Sequence, residues 1–194
     1  MKKAFLIVIL TTLIGISEVF SQSLSPIELN KQGSQTLFQI NKIPYKAIFG
    51  EDEQSSRPYI EFNGKKTFKY NSIFQDAILD FQIFYNPKLN FQYLIINNYV
   101  DLSLGADLFL IKDGEFSYIG NLNLGAYNSI NGNKMNYNSI LPYISVFYTK
   151  EKTYFSFEVP LVVLNPAQKD EQIFKGNELH YILTDNKLSL VFSK

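Results

Sequence analysis

Short runs of alternating apolar and polar residues, separated by two-residue turn signals, constrain the fold of this chain more than any other feature. Asn63-Gly64 stands between a run that ends at Phe62 and one that begins at Lys65, and Asn-Gly tolerates the positive φ angles of a tight hairpin turn. Asp113-Gly114 and Asp185-Asn186 stand between two further pairs of runs. Because alternation at period two is typical of strands, this spacing predicts antiparallel hairpins.

Four hairpins follow from these patterns. The one turned by Lys150-Glu151-Lys152 places Ile144, Val146 and Tyr148 on one face of its first strand. The abundance of Phe and Tyr also favours strands. We therefore predict a mainly β protein, built as an antiparallel β-sandwich or a partly open barrel. The predicted hairpins pair 59–62 with 65–70, 107–112 with 115–119, 143–148 with 154–159, and 181–183 with 188–192.

One segment fits two secondary structures. A capping box that begins at Ser72, together with apolar residues at four-residue spacing, predicts a short helix near residues 73–80. As a strand, residues 78–85 would instead pair with 91–97. We expect a short helix that gives way to a strand.

The N-terminal residues have the layout of a secretory signal. Lys2 and Lys3 precede an apolar run over residues 4–16, which is shorter than the roughly 20 residues that a membrane-spanning helix needs. Val19 and Ser21 are small enough for signal peptidase, so we predict cleavage after Ser21. The alternative, an uncleaved membrane anchor, is disfavoured by the shortness of the apolar run.

A cleavable signal peptide at 1–21 predicts an exported protein, periplasmic or extracellular, and the Asn-, Ile- and Lys-rich composition favours a bacterial source. Residues 22–194 contain no long linker, no further run of membrane-spanning length and no cysteine for disulfides. We expect them to form a single β-rich domain. Its polar segments, 22–35 and 165–178, predict a flexible N-terminal tail and a loop.

Charge and composition disfavour several classes of function. The formal net charge is +0, so the chain has no basic footprint for nucleic acid. His180 is the only histidine and there is no cysteine, which disfavours zinc and haem sites and Ser-His-Asp catalysis. Phosphate-binding loops are missing as well. We expect no cofactor and no bound metal.

Carboxylate chemistry is the open enzymatic alternative, because glycoside hydrolysis requires only two acids held across a sugar bond. Asp76 and Asp80 would share one face of a helix, and Asp101, Asp107 and Asp113 lie close together in the chain. Neither set has a spacing that identifies a hydrolase. A carboxylate-dependent hydrolase is therefore the second hypothesis, and a structural or assembly role in the cell envelope is the third.

The Tyr- and Asn-rich segment 121–138 is the strongest candidate for a binding surface. Tyrosine rings stack on sugars and peptides, and asparagine amides both donate and accept hydrogen bonds. The alternative is a polar connection that reflects only the overall composition. The leading hypothesis is a non-catalytic binding protein that recognises a glycan or an envelope protein through this segment or an open sheet edge. The candidate ligand-binding residues are Tyr127, Asn128, Asn131, Asn133 and Tyr137.

One short motif occurs twice. Residues 101–107 read DLSLGAD, and residues 121–127 read NLNLGAY. Two copies are too few for a solenoid, which needs about three. The repeated motif predicts two strands of similar role, each ending at a Gly-Ala bend. The alternative is that the repeat is a coincidence.

Overall fold

A computed structural model of the protein shows eighteen β-strands and two single-turn 3-10 helices among the residues it describes. The prediction of a mainly β, antiparallel protein is confirmed, and none of the four sheets in the described part of the chain closes on itself. No helix among these residues is long and apolar enough to cross a membrane. The described residues are 21–32, 35–40, 42–52, 57–62, 64–68, 80–99, 103–113, 115–128, 136–149 and 151–193.

The structure assigns the following bounds to the turns and strands. The two 3-10 turns are Leu141–Tyr143 and Gly176–Glu178. The strands are β1 (Gln22–Leu24), β2 (Leu29–Gln32), β3 (Gln35–Ile40), β4 (Ile43–Asp52), β5 (Arg57–Phe62), β6 (Lys65–Phe68), β7 (Phe81–Asn86), β8 (Phe91–Tyr99), β9 (Ser103–Lys112), β10 (Glu115–Leu122), β11 (Leu124–Asn128), β12 (Asn136–Asn138), β13 (Ile144–Thr149), β14 (Lys152–Phe157), β15 (Leu161–Leu164), β16 (Gln172–Lys175), β17 (Leu179–Thr184) and β18 (Lys187–Phe192).

The central sheet has the strand order β10-β9-β8-β7 and is covered on both faces. Along β8, every residue from Phe91 to Asn97 is buried. This agrees with the uninterrupted apolar run from Tyr93 to Ile96, because a strand covered on both faces does not need to alternate. The central sheet is therefore the middle layer of three.

The larger hydrophobic core lies on one face of the central sheet. Two sheets cover that face: the first has the order β1-β13-β14-β17-β18, and the second has the order β12-β11-β15-β16. We call them the first and second covering sheets. Buried side chains from all three sheets meet in this core, including Leu24, Tyr93, Leu108, Leu124, Val146, Phe155, Val162 and Tyr181.

The smaller core lies on the opposite face of the central sheet. A third covering sheet, with the order β2-β3-β4-β5-β6, contributes Phe38, Ile40 and Ala47 to it. They pack against the odd-numbered side chains of β7 and β9, such as Ile83 and Phe109. Alternation along these strands divides their apolar side chains between the two cores.

The four predicted hairpins are present, in the pairs β5–β6, β9–β10, β13–β14 and β17–β18. Asp185 and Asn186 have φ angles of 50° and 61°, as a two-residue type I′ turn requires. The β13–β14 turn has two residues instead of the predicted three, because Lys152 already pairs with Thr149. The shorter turn allows the hydrogen-bonded pairing of β13 with β14 to include Lys152.

The strand expected near residues 78–85 is present as β7, which pairs with β8. The helix expected near 73–80 falls outside the described residues, except for Asp80, which precedes β7 without helical structure.

The polar segments depart from their prediction as a tail and a loop. Residues 22–32 contain β1 and β2, and Leu24 is buried where β1 pairs with β13. The backbone N–H of Ile27 also donates to the carbonyl oxygen of Ile83 at 2.7 Å. Residues 172–175 form β16, an edge strand paired with β15. Segments that are polar on average can therefore form strands when they contribute a few apolar side chains and pair with the edge of a neighbouring sheet.

Candidate functional site

The predicted Tyr/Asn surface lies on a hairpin at the edge of the second covering sheet. We call β11 and β12 together the Tyr/Asn hairpin. Tyr127 stands opposite Tyr137, and Asn128 stands opposite Asn136. Residues directly opposite on antiparallel strands share one face of the sheet, with Cβ atoms about 4.5–5.5 Å apart. The structure thus brings together the two tyrosine positions, and Tyr127 itself is half-buried.

The remaining two candidates, Asn131 and Asn133, lie outside the described residues, in the connection between β11 and β12. Asn128 ends β11, at the start of that connection.

The base of the Tyr/Asn hairpin is held by the core. Leu124 and Ala126 are buried, and β15 pairs with β11 on the side away from β12. The backbone N–H of Asn123 donates to the Tyr181 hydroxyl oxygen at 3.1 Å. The Asn123 amide donates to the Asn165 side-chain oxygen at 2.5 Å. The first strand of the hairpin is therefore well anchored at its base.

The described acids of the hydrolase hypothesis have separate partners or positions. Asp80 forms an ion pair with Lys31 at 3.1 Å. Asp107 is buried within β9 and accepts a hydrogen bond from the Asn121 amide at 2.8 Å. Asp113 is exposed at the tip of the β9–β10 hairpin, six residues or about 20 Å of extended chain away. Asp76 and Asp101 lie outside the described residues.

No metal centre is found in the part of the chain that the structure describes, where no three His, Asp or Glu residues cluster. His180 is half-buried on β17, with its ring centroid 6.1 Å from that of Tyr154. The only histidine in the sequence therefore packs against a neighbouring tyrosine ring.

A pocket of about 260 Å³ opens where the central sheet and the first covering sheet face each other at one end. We call it the end pocket. Its base is mostly apolar and largely buried, and its exposed rim is polar except for Leu89. The base consists of Phe91, Tyr93, Leu110 and Leu183, and the rim includes Glu151, Asp185 and Asn186.

Three hairpin turns bring the lining residues together. The β7–β8 turn leads into Phe91, the β13–β14 turn carries Glu151, and the β17–β18 turn carries Asp185 and Asn186. Glu151 has a φ angle of 66° and Asp185 one of 50°, so tight turn geometry fixes both rim positions. Loops mounted on a rigid β-scaffold are a common place for binding residues.

The polar groups at the base of the end pocket bond to each other. The hydroxyls of Tyr93 and Thr153 are 2.5 Å apart, and both residues are buried. Burial raises the pKa of Tyr93 to about 12, although the Thr153 hydrogen bond opposes part of this rise. The phenol therefore stays neutral at physiological pH, which leaves it as a hydrogen-bonding group rather than a general base.

The end pocket was not predicted from the sequence. Its lining comes from turns that lie dozens of residues apart, and they meet only because β14 and β17 are neighbours and their sheet faces β8. The sequence signal that could have drawn attention to it is the acid in each of two tight turns, at Glu151 and Asp185.

Comparison of the chain with protein-family models, with curated proteins and with solved structures finds no match.

Proposed function

We propose that this protein is an exported binding protein that recognises a glycan through the Tyr/Asn hairpin, and that it is not an enzyme. The observation that carries the proposal is the register of β11 and β12, which sets Tyr127 opposite Tyr137 at a sheet edge. Aromatic faces pack on the apolar faces of sugar rings, and the neighbouring asparagines supply donors and acceptors for hydroxyls.

The anchoring of the hairpin supports this proposal. Leu124 and Ala126 fix β11 in the larger core, so little ordering of the scaffold is needed when a ligand binds. The described acids give the hydrolase hypothesis no support. Asp80 is paired with Lys31, Asp107 is buried against the Asn121 amide, and Asp113 lies about 20 Å of extended chain from Asp107, beyond the roughly 5–10 Å at which glycosidases hold their two acids.

Glycan binding should depend on both tyrosines. In a glycan-array screen of the exported protein, we expect the Tyr127→Ala/Tyr137→Ala double variant to lose affinity for any bound glycan by about tenfold or more, since buried aromatic contacts dominate such sites. The matched control is Tyr143→Ala, an exposed tyrosine on the 3-10 turn Leu141–Tyr143. It should bind like the unmodified protein.

Two results would count against the glycan site. Binding that survives the double variant would move the site away from the Tyr/Asn hairpin. If no glycan binds but a pull-down recovers an envelope protein that the double variant loses, the partner class is a protein, and the proposed ligand is wrong.

Export has its own test, which rests on the N-terminal sequence features. We expect N-terminal sequencing of the protein recovered outside the cytoplasm to begin at Gln22 or within a few residues of it. Mature material that still begins at Met1 would contradict the signal peptide.

A further inference from the structure

The end pocket has a base that suits an apolar ligand body. Phe91 and Leu183 are buried there as part of the larger core, and Leu110 is half-buried and packs against that core. The Tyr93 and Thr153 hydroxyls bond to each other, so they do not require a polar ligand atom. A hydrocarbon or aromatic group placed against this pair would not disrupt its hydrogen bond.

The rim of the end pocket carries negative charge. Glu151 and Asp185 both line it, and no described lining residue is cationic. Lys152 and Lys187 are exposed and adjoin these turns in sequence, but they do not line the pocket. Ionised carboxylates only accept hydrogen bonds, so the matching ligand group must donate them, and an ammonium donates three.

We propose that the end pocket binds a ligand that carries one ammonium group on an apolar or aromatic body. The body packs against Phe91, Leu110 and Leu183, and the ammonium lies at the rim between Glu151 and Asp185. The volume of about 260 Å³ is just below that of drug-sized sites, which suits a body of one or two rings. This site is separate from the Tyr/Asn hairpin, and neither proposal depends on the other.

The absence of tryptophan from the chain allows a direct binding test. Tryptamine, tryptophol and indole-3-propionate share one indole and differ in charge, and their indole emission can be excited selectively. Fluorescence anisotropy of each probe is measured against increasing concentrations of the protein. We expect tryptamine to bind about tenfold more tightly than neutral tryptophol, and the anionic probe to bind most weakly.

The two rim acids should account for this preference. In Glu151→Gln/Asp185→Asn, tryptamine and tryptophol should bind equally, because the ligand body still has its apolar base. Asparagine suits the positive φ angle at 185, so the turn is kept. The charge-matched control is Glu28→Gln, an exposed acid that does not line the pocket, and it should retain the preference.

Three outcomes would overturn the proposal: no anisotropy change with tryptamine, equal binding of tryptamine and tryptophol by the unmodified protein, or a preference that persists in the double variant. A further arm identifies the source of the ammonium. If N-acetyl-Trp-Lys-amide binds more tightly than tryptamine, a lysine side chain of a partner supplies it. If the dipeptide binds more weakly, the ligand is a free amine.

Discussion

Replacing Phe155 by alanine is expected to lower the free energy of unfolding by about 3–5 kcal/mol. Phe155 is 0% exposed in the larger core, and its ring meets that of Tyr93 edge-on at 5.5 Å. It stands between Val146 and Tyr181 in the first covering sheet. A close-packed sandwich cannot collapse around the lost ring, so the cavity adds to the lost burial.

Urea denaturation followed by circular dichroism measures this loss as a lower midpoint at an unchanged slope. The control is Phe192→Ala on β18, where the side chain is 51% exposed and touches Phe174. It should cost about 1 kcal/mol or less. Equal losses in the two variants would contradict the layered core described above. Because Tyr93 also lines the end pocket, Phe155→Ala should weaken tryptamine binding as well.

The hairpins could be predicted from the sequence because each is a local feature. Asn63-Gly64 and Asp185-Asn186 lie next to the strands that they connect, so turn chemistry and alternation specify the pairing without knowledge of the rest of the chain. The strands in residues 22–32 could not be predicted in this way, because they depend on a distant part of the chain. Leu24 is buried only because β13 offers an edge to β1, more than a hundred residues away.

The candidate sites also differ in how far local sequence features indicate them. The composition of the segment 121–138 identified the Tyr/Asn hairpin, but the pairing of Tyr127 with Tyr137 depends on a register that only the fold provides. Glu151 and Asp185 were assigned only to turns, because nothing in the sequence indicates that the two turns border one pocket. Sheet order is a long-range property, and local patterns do not encode it.

The repeated Leu-Gly-Ala motif shows that similar sequences need not share a conformation. Gly105 lies inside β9 at a bulge, where two residues of β9 oppose one of β8 between the pairs Asn97↔Ala106 and Tyr99↔Ser103. Its φ angle is +104°, whereas Gly125 does not have a positive φ angle. The predicted Gly-Ala bend is therefore a bulge within β9 in the first copy, whereas Gly125 and Ala126 of the second copy lie within β11.

Replacing Gly105 by alanine should destabilise the protein by about 2–5 kcal/mol, because two costs add at this position. The positive φ angle disfavours any L side chain, and the added Cβ would lie 2.6 Å from the Leu122 carbonyl oxygen. Gly64→Ala is the matched control, since Gly64 also has a positive φ angle, +84°, but a Cβ added there would meet nothing within 4 Å. That variant should lose only the conformational cost, about 1–2 kcal/mol.

Thermal and urea unfolding of the two glycine variants, measured side by side, separate these two costs. A larger loss of unfolding free energy in Gly105→Ala than in Gly64→Ala would confirm that β10 lies close to the bulge, where Leu122 stands opposite Ala106. Equal losses would mean that backbone conformation alone determines the effect and that β10 does not approach Gly105 as the structure shows. Because Leu122 leads through Asn123 directly into β11, loosening this contact should also lower the affinity of the Tyr/Asn hairpin for its ligand, while Gly64→Ala leaves it unchanged.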